Sequence, residues 1–424
     1  MKEKIKILLV TYFPLRDDLS TGNTLINVFN GIEGNYEFAN IYIKDGKPNN
    51  NMVNNYFHIS ERKLIKSIFT RKSVYSSECI LNSENNIDNS QLYNKARQLR
   101  WDSLLFVQDI VGLLGKWKTE ELDEFVINFN PDIIFGPLGR VPLPNVIMNY
   151  IHNKFNVKMV TFAWDDHYSL HKIALSPFFW MRTLFERKYI KQCVDGCTSL
   201  FTITSLMKKE YEKSFNRECN IINKSYHFLA MPEYTADKQK QISITYLGNV
   251  GAGRIQTIKK VAMAIDSINK KDINVKFDIY TATPLSRKIV KKIGACNGVT
   301  INKAVSQTQL KKIMADSDIL LYVTPIRKKE RLLERLSFST KLVDYFYFAK
   351  CIFCVGGETA VTRYLEENDA AIVVHDLDKI TISLESLIRD SEKIKKYAQN
   401  AWICGENNHQ KDKSQKLILS VLNK

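Results

Sequence analysis

Tyr246-Leu-Gly-Asn-Val-Gly-Ala-Gly-Arg254 joins the end of an apolar run, a turn with three glycines and the start of an amphipathic stretch. A strand that runs through a glycine-rich turn into a helix is the opening unit of a doubly wound α/β domain. Gly248 and Gly251 let backbone N–H groups approach an anion at the helix N-terminus, and Arg254 adds charge there. The spacing is G-x-x-G-x-G, unlike the dinucleotide fingerprint, and no Lys-Ser or Lys-Thr pair follows as in a P-loop. Redox chemistry and P-loop hydrolysis therefore lose ground. A tight turn with no ligand is the alternative for the glycines alone.

Outward from this turn, short apolar runs alternate with amphipathic stretches to both ends of the chain. Downstream, strands are predicted at 242–247, 275–280, 298–301, 318–323, 350–355 and 370–374, with helices between them. Upstream, a separate series has strands at 5–11, 36–43, 132–136, 157–163, 199–203 and 219–222. The pattern predicts two Rossmann-like, doubly wound parallel-sheet domains facing a cleft: an acceptor domain over 1–235 and a nucleotide-sugar donor domain over 236–400. Residues 401–424 are expected to form a C-terminal helix that packs back on the first domain, and 44–130 an insertion, irregular over 44–95 except for a short basic helix near 64–69.

Composition narrows the class. The chain has 424 residues, 45% hydrophobic, with 61 Lys and Arg against 45 Asp and Glu, a formal net charge of +16. This is folded, globular composition, without low-complexity tracts. No apolar stretch is long enough to span a bilayer, and the N-terminus lacks a secretory pattern, so a cytoplasmic protein is expected, with peripheral contact to the cytoplasmic membrane as an option. The eight cysteines read as reduced thiols, and Cys351-Ile-Phe-Cys354 as a buried strand rather than half a zinc site. The positive charge admits nucleic acid, phosphate-rich ligands or an anionic membrane. No helix-turn-helix, RNA-recognition or zinc-finger pattern supports nucleic acid.

In an open parallel sheet, chemistry sits beyond the C-terminal ends of the strands. After the strand ending at Val323, five cations (Arg327, Lys328, Lys329, Arg331, Arg335), read as a solvated loop face or as part of an anion site, precede Ser337, Ser339 and Thr340, which are candidate N-caps for a helix starting near Thr340 or Lys341. Asp344 lies one turn into that helix, placed either for a ribose hydroxyl pair or for a salt bridge. In the first domain, Asp165, Asp166 and His167 follow a strand and can meet an acceptor hydroxyl or a developing oxocarbenium charge. Helix capping is the bland role for the two aspartates, and His167 with His171 offers a less complete metal set. The stretch 178–191 mixes aromatics and cations; its apolar stripe predicts packing on the sheet ahead of a bilayer contact.

Leu336-Ser-Phe-Ser-Thr-Lys-Leu-Val-Asp-Tyr-Phe-Tyr-Phe-Ala-Lys-Cys-Ile-Phe353 resembles the nucleotide-sugar motif of GT-B glycosyltransferases, particularly the retaining family 4. The resemblance extends to Gly248–Arg254 and to the first loop, Ser20-Thr-Gly-Asn-Thr24, which adds Gly22 to the candidates. It implies that Ser339, Thr340, Lys341 and Arg254 hold a donor diphosphate, that Asp344 holds the ribose, and that a sugar passes, without a metal or other cofactor, to a hydroxyl of a polysaccharide or lipid-linked oligosaccharide. Two positions depart from the family pattern. Leu336 stands where the family carries its first glutamate, with Glu334 nearby, and the family's lysine has only Lys259 as a loose counterpart. A sugar-nucleotide epimerase of the same fold and a non-catalytic nucleic-acid-binding protein are the competing readings.

Overall fold

The computed structural model describes residues 4–18, 20–69, 102–232, 241–271 and 273–423. They form two compact units, Met1–Asn223 with Gln415–Lys424, and Lys224–Ser414. Against the expected bounds, the chain divides at 223/224 and again at 414/415, inside the final helix Lys411–Leu422.

In the first unit β1 (Ile5–Thr11), β2 (Tyr36–Tyr42), β3 (Asn55–His58), β4 (Ile133–Pro137), β5 (Lys158–Ala163), β6 (Ser199–Thr202) and β7 (Cys219–Ile221) form one sheet in the order β3-β2-β1-β4-β5-β6-β7. Every pairing is parallel. The order reverses between β1 and β4, which makes their C-terminal ends the switch point of this sheet. Central strands covered on both faces must be apolar throughout, and all five residues of β4 are buried.

The second unit repeats the plan with β8 (Ile242–Leu247), β9 (Val275–Thr281), β10 (Val299–Lys303), β11 (Ile319–Val323), β12 (Cys351–Val355) and β13 (Ile372–Val374), in the order β10-β9-β8-β11-β12-β13. All pairings are again parallel. Its core packs Ile258, Val261 and Ile265 of the helix Arg254–Asn269 against Phe277, Leu321 and Phe353 of the sheet. Cys351 and Cys354 are buried in β12, where burial pushes both thiols up. The strand reading of that pair holds. The switch point lies between β8 and β11, so the turn after Leu247 and the loop after Val323 open at the same place.

Four local expectations need correction. Within 44–95, β3 pairs with β2, Asn55 opposite Ala39, ahead of the expected short helix, which runs Glu61–Phe69. A four-residue edge strand carrying asparagine and histidine has too little apolar signal to be read in advance, and 70–101 lie outside the described residues. Ser20-Thr-Gly-Asn-Thr24 is the first turn of the helix Ser20–Phe29 rather than a loop. Part of the cationic stretch forms a helix, Lys328–Glu334.

The fourth correction concerns the helix Pro177–Gly196, whose apolar stripe was expected to pack inward. Phe178, Met181 and Leu184 are instead 45%, 50% and 57% exposed, while Arg182, Thr183 and Glu186 are buried. Arg182 and Glu186 lie one turn apart and pair at 3.1 Å, and Arg182 Nε also donates to Asp109 at 2.6 Å. A buried charge is tolerated when it is paired. Here the charged face can turn inward because Asp109 and Arg140 supply its partners.

Candidate functional site

Gly248 follows β8 with φ +147°, a left-handed-side conformation that a side chain resists, and a Cβ there would collide with the Lys341 ammonium. The glycine therefore serves two ends: it turns the chain out of the sheet and makes room for Lys341. Lys341 begins the helix Lys341–Tyr347, and its Nζ donates to Leu247 O at 3.1 Å. Its residue surface is open to solvent, yet its ammonium is tucked against the turn. Burial, with nearby Arg254 adding to it and Asp344 opposing it, brings the Lys341 pKa down to about 8.

The rest of the turn is held by its own groups. Tyr246 OH donates to Asn249 O at 2.7 Å, Asn249 Oδ1 accepts from Gly251 N at 2.6 Å, and Thr283 Oγ1 donates to the same oxygen at 2.9 Å. Gly253, with φ +83°, is the N-cap residue of the helix Arg254–Asn269. Arg254 reaches across the switch point: its Nε donates to Val323 O at 3.3 Å, and its Nη2 is ion-paired to Glu334. Gly248, Gly251, Arg254 and Lys341 are thus gathered at the C-terminal ends of β8 and β11.

Asp344 is near Lys341 but already engaged. Its Oδ1 accepts from Lys224 Nζ at 2.6 Å and from Tyr226 OH at 2.6 Å, and both partners belong to the same unit. His409 braces this arrangement, with Nδ1 3.2 Å from Lys224 O and Nε2 3.0 Å from Tyr364 OH. Of its two offered roles, Asp344 plainly fills the ion pair. The N-cap expectation fails: Thr340 stands at the N-cap position with helical backbone and no side-chain capping bond. Ser339 contributes its carbonyl, which accepts from Leu342 N at 3.0 Å. Leu336 is buried and apolar, and Glu334 is the acidic group that reaches the turn, through Arg254. Lys259 lies elsewhere, among Lys292, Lys260 and Lys288.

In the first unit, Gly22 has a packing role. A Cβ there would overlap the backbone of Arg16, so the residue allows the helix Ser20–Phe29 to approach that segment closely. Asp165 is exposed beyond the end of β5, and its carbonyl accepts from His167 N at 3.1 Å. Asp166 is buried and shapes the loop, accepting from Ser169 N at 2.9 Å, from Ser169 Oγ and from Tyr211 OH at 3.5 Å. His167 is neutral: burial first, then the Arg140 and Lys172 cations, bring its pKa down to about 3, with Asp166 opposing. His171 is exposed and 4.0 Å from Glu210. Among the described residues no three His, Cys, Asp or Glu side chains gather as a metal site. Arg140, Lys172, Lys224 and Tyr226 were not singled out as site residues from sequence, and Glu334 was named there without its Arg254 partner; their partners are remote in sequence or lie on neighbouring loops.

Comparison of this architecture with solved structures gives whole-length matches. The Anabaena HepE protein in complex with UDP aligns over 99% of this chain and 100% of its own, with TM-score 0.62 and 11% identity. The fold is GT-B. WaaG, a glycosyltransferase involved in lipopolysaccharide biosynthesis, aligns over 98% of this chain and 99% of its own, with TM-score 0.59 and 11% identity. Staphylococcus aureus TarM, in a complex with UDP, matches 69% of this chain at TM-score 0.52 and 15% identity; the match spans 55% of TarM, about half its length. The GT-B frame also covers 99% of this chain in a Listeria monocytogenes protein assigned as a UDP-N-acetylglucosamine 2-epimerase, at TM-score 0.56 and 8% identity. No protein-family model and no curated sequence matches the chain.

Proposed function

We propose that this chain is a nucleotide-sugar glycosyltransferase, with retention of configuration as the family-4 resemblance implies, acting on a hydroxyl of a polysaccharide or lipid-linked oligosaccharide. The observation that carries the reading is the meeting of Arg254 and Lys341 on the glycine turn at the switch point of a GT-B donor-type sheet. Loss of a nucleoside diphosphate develops negative charge on phosphate oxygens, and two fixed cations beside free backbone geometry are suited to meet it. No metal is invoked for that step. Asp165, exposed beyond β5, is the group assigned to the acceptor side, while Asp166 holds the loop and His167 stays neutral. UDP is the first nucleotide to test, because HepE and TarM were captured with it. Calorimetric titration with UDP, GDP, CMP and ADP, each with and without EDTA, should show micromolar binding of one of them, indifferent to chelator. Binding of none would overturn the reading, and isomerisation of a UDP-sugar without a glycosidic product would transfer it to the epimerase.

The Lys341 pKa of about 8 gives this binding a pH signature. The lysine carries its charge below that value and loses it above, so the protonated fraction falls about tenfold between pH 7 and pH 9. Nucleotide affinity is expected to fall by up to about that factor, and Lys341→Arg, charged throughout, should flatten the profile.

We also place a peripheral membrane contact on the first unit. No helix among the described residues is long and apolar enough to cross a bilayer. The helices Asp102–Leu114 and Pro177–Gly196 pack together through Phe106 and Phe185, 5.6 Å apart, and through the Asp109–Arg182 pair. Their outer faces carry Leu104, Val107, Leu114, Phe178, Met181 and Leu184, and the preceding loop adds Leu175, which is fully exposed. Exposed apolar stripes of this kind seldom occur on a free surface, and Lys188 on the same helix together with the +16 net charge favours an anionic bilayer. Sedimentation with phosphatidylglycerol vesicles should exceed that with phosphatidylcholine. Replacing Leu175 and Leu184 together by glutamate should lower partitioning by about 100-fold or more, given roughly 1.5–3 kcal/mol per buried leucine. Equal partitioning of variant and parent would remove the surface from this role.

A further inference from the structure

The C-terminal ends of β4 and β5 lie side by side, Pro137 opposite Phe162, so the segments that follow leave the sheet together. Arg140 is on the first of them. Its Nε donates to both oxygens of Glu186, at 3.1 and 3.3 Å, and Glu186 is fully buried and paired on its other side with Arg182. Asp109, Arg182 and Glu186 form a buried chain of ion pairs that fixes the half-exposed Arg140 guanidinium through Nε.

The front of the guanidinium is different. Arg140 Nη2 is buried and has no hydrogen-bond partner among the described residues. A buried charged donor left unfilled is costly, so such a group calls for an acceptor. On the second segment, the half-buried Lys172 donates from Nζ to the His167 carbonyl at 3.4 Å. Burial lowers the Lys172 pKa, with Asp166 opposing and Arg140 reinforcing the shift. The groups facing His167 are therefore Arg140, Lys172 and Arg182 on the cationic side and Asp166 on the anionic.

We propose that Arg140 and Lys172 bind an oxyanion carried by the acceptor, a phosphate or a carboxylate, and hold it beside His167. The word acceptor rests on the transferase reading; the binding does not. An arginine gripped through Nε presents its remaining N–H groups in fixed geometry, which suits a two-oxygen contact, and a lysine alongside supplies the second charge. Arg140 and Lys172 then discriminate acceptors bearing an anionic group from neutral sugars. In that role they are binding residues for substrate rather than part of the donor site.

The test uses the full chain labelled in its histidine rings, with His167 assigned through a His167→Gln variant. Inorganic phosphate and acetate are titrated separately at pH 7 against sodium chloride at equal ionic strength. Saturable millimolar shifts of the His167 resonances with phosphate point to a phosphate-bearing acceptor, and with acetate to a carboxylate. Either response should weaken at least tenfold in Lys172→Met and in Arg140→Gln. Lys172→Met keeps the test decisive if Arg140→Gln, which takes one of two arginines from the buried Glu186, fails to fold. Shifts no larger than those from chloride, or variants that respond like the parent, would overturn the proposal. UDP titration of the same samples separates the two readings: an oxyanion response without nucleotide binding keeps this site and sinks the transferase, and nucleotide binding without an oxyanion response does the reverse.

Discussion

If the proposed transferase reading holds, Lys341→Met is expected to lower sugar transfer by about 100- to 1,000-fold, which corresponds to roughly 2.7–4 kcal/mol, the range seen when one preorganised donor to a developing anion is removed. The size follows from placement. The ammonium is fixed by Leu247 O at 3.1 Å and by the space Gly248 leaves for it, so its charge needs no reorganisation when the diphosphate departs. Methionine keeps the volume and removes the charge. Thermal stability should be unchanged or slightly raised, because the parent tucks in an ammonium whose lowered pKa records the cost of burial. Steady-state kinetics beside a melting curve checks both halves. A loss of activity accompanied by a collapse of the melting midpoint would show that Lys341 supports the fold, and near-parental turnover would remove it from the chemistry.

Much of this site was readable in the sequence because it is built from local signals. The apolar run ending at Leu247, the glycines after it and the next helix are contiguous, and β8 and the helix Arg254–Asn269 occur where that run and periodicity place them. Lys341 could be named for the same reason, since it opens a helix after a predicted strand end. The partners could not. Glu334 lies 80 positions from Arg254, and Lys224 lies 120 from Asp344, so only the folded sheet order brings them together. The helix Pro177–Gly196 misled in the opposite way. Its apolar stripe has helical spacing, which by default faces a core, but Asp109 and Arg140 on other elements neutralise its charged side and reverse the choice. Periodicity reports that a helix has two faces; partners elsewhere decide which face turns inward.

Asp344→Ala shows how that distinction changes an experiment. From sequence, Asp344 can serve a ribose or a salt bridge, and no partner for the bridge is in view. In the structure the substitution also takes Asp344 away from the Lys224 ammonium, whose side chain is 9% exposed, and removes the acceptor of Tyr226 OH. Removing one member of a buried ion pair costs about 3–5 kcal/mol, so the second unit should lose that much stability, whatever happens to nucleotide affinity. Unfolding in urea, followed through fluorine-labelled Trp402, the tryptophan of residues 224–414, measures the loss in the right unit. The double variant Lys224→Met with Asp344→Leu then separates the roles. Replacing a buried pair by apolar residues is often neutral, so stability should return. If nucleotide affinity returns with it, Asp344 acts only by holding the helix Lys341–Tyr347 against Lys224 and Tyr226. If stability returns and affinity stays at least tenfold weaker, the carboxylate itself meets the ribose, and the ion pair is the state it leaves when the nucleotide binds.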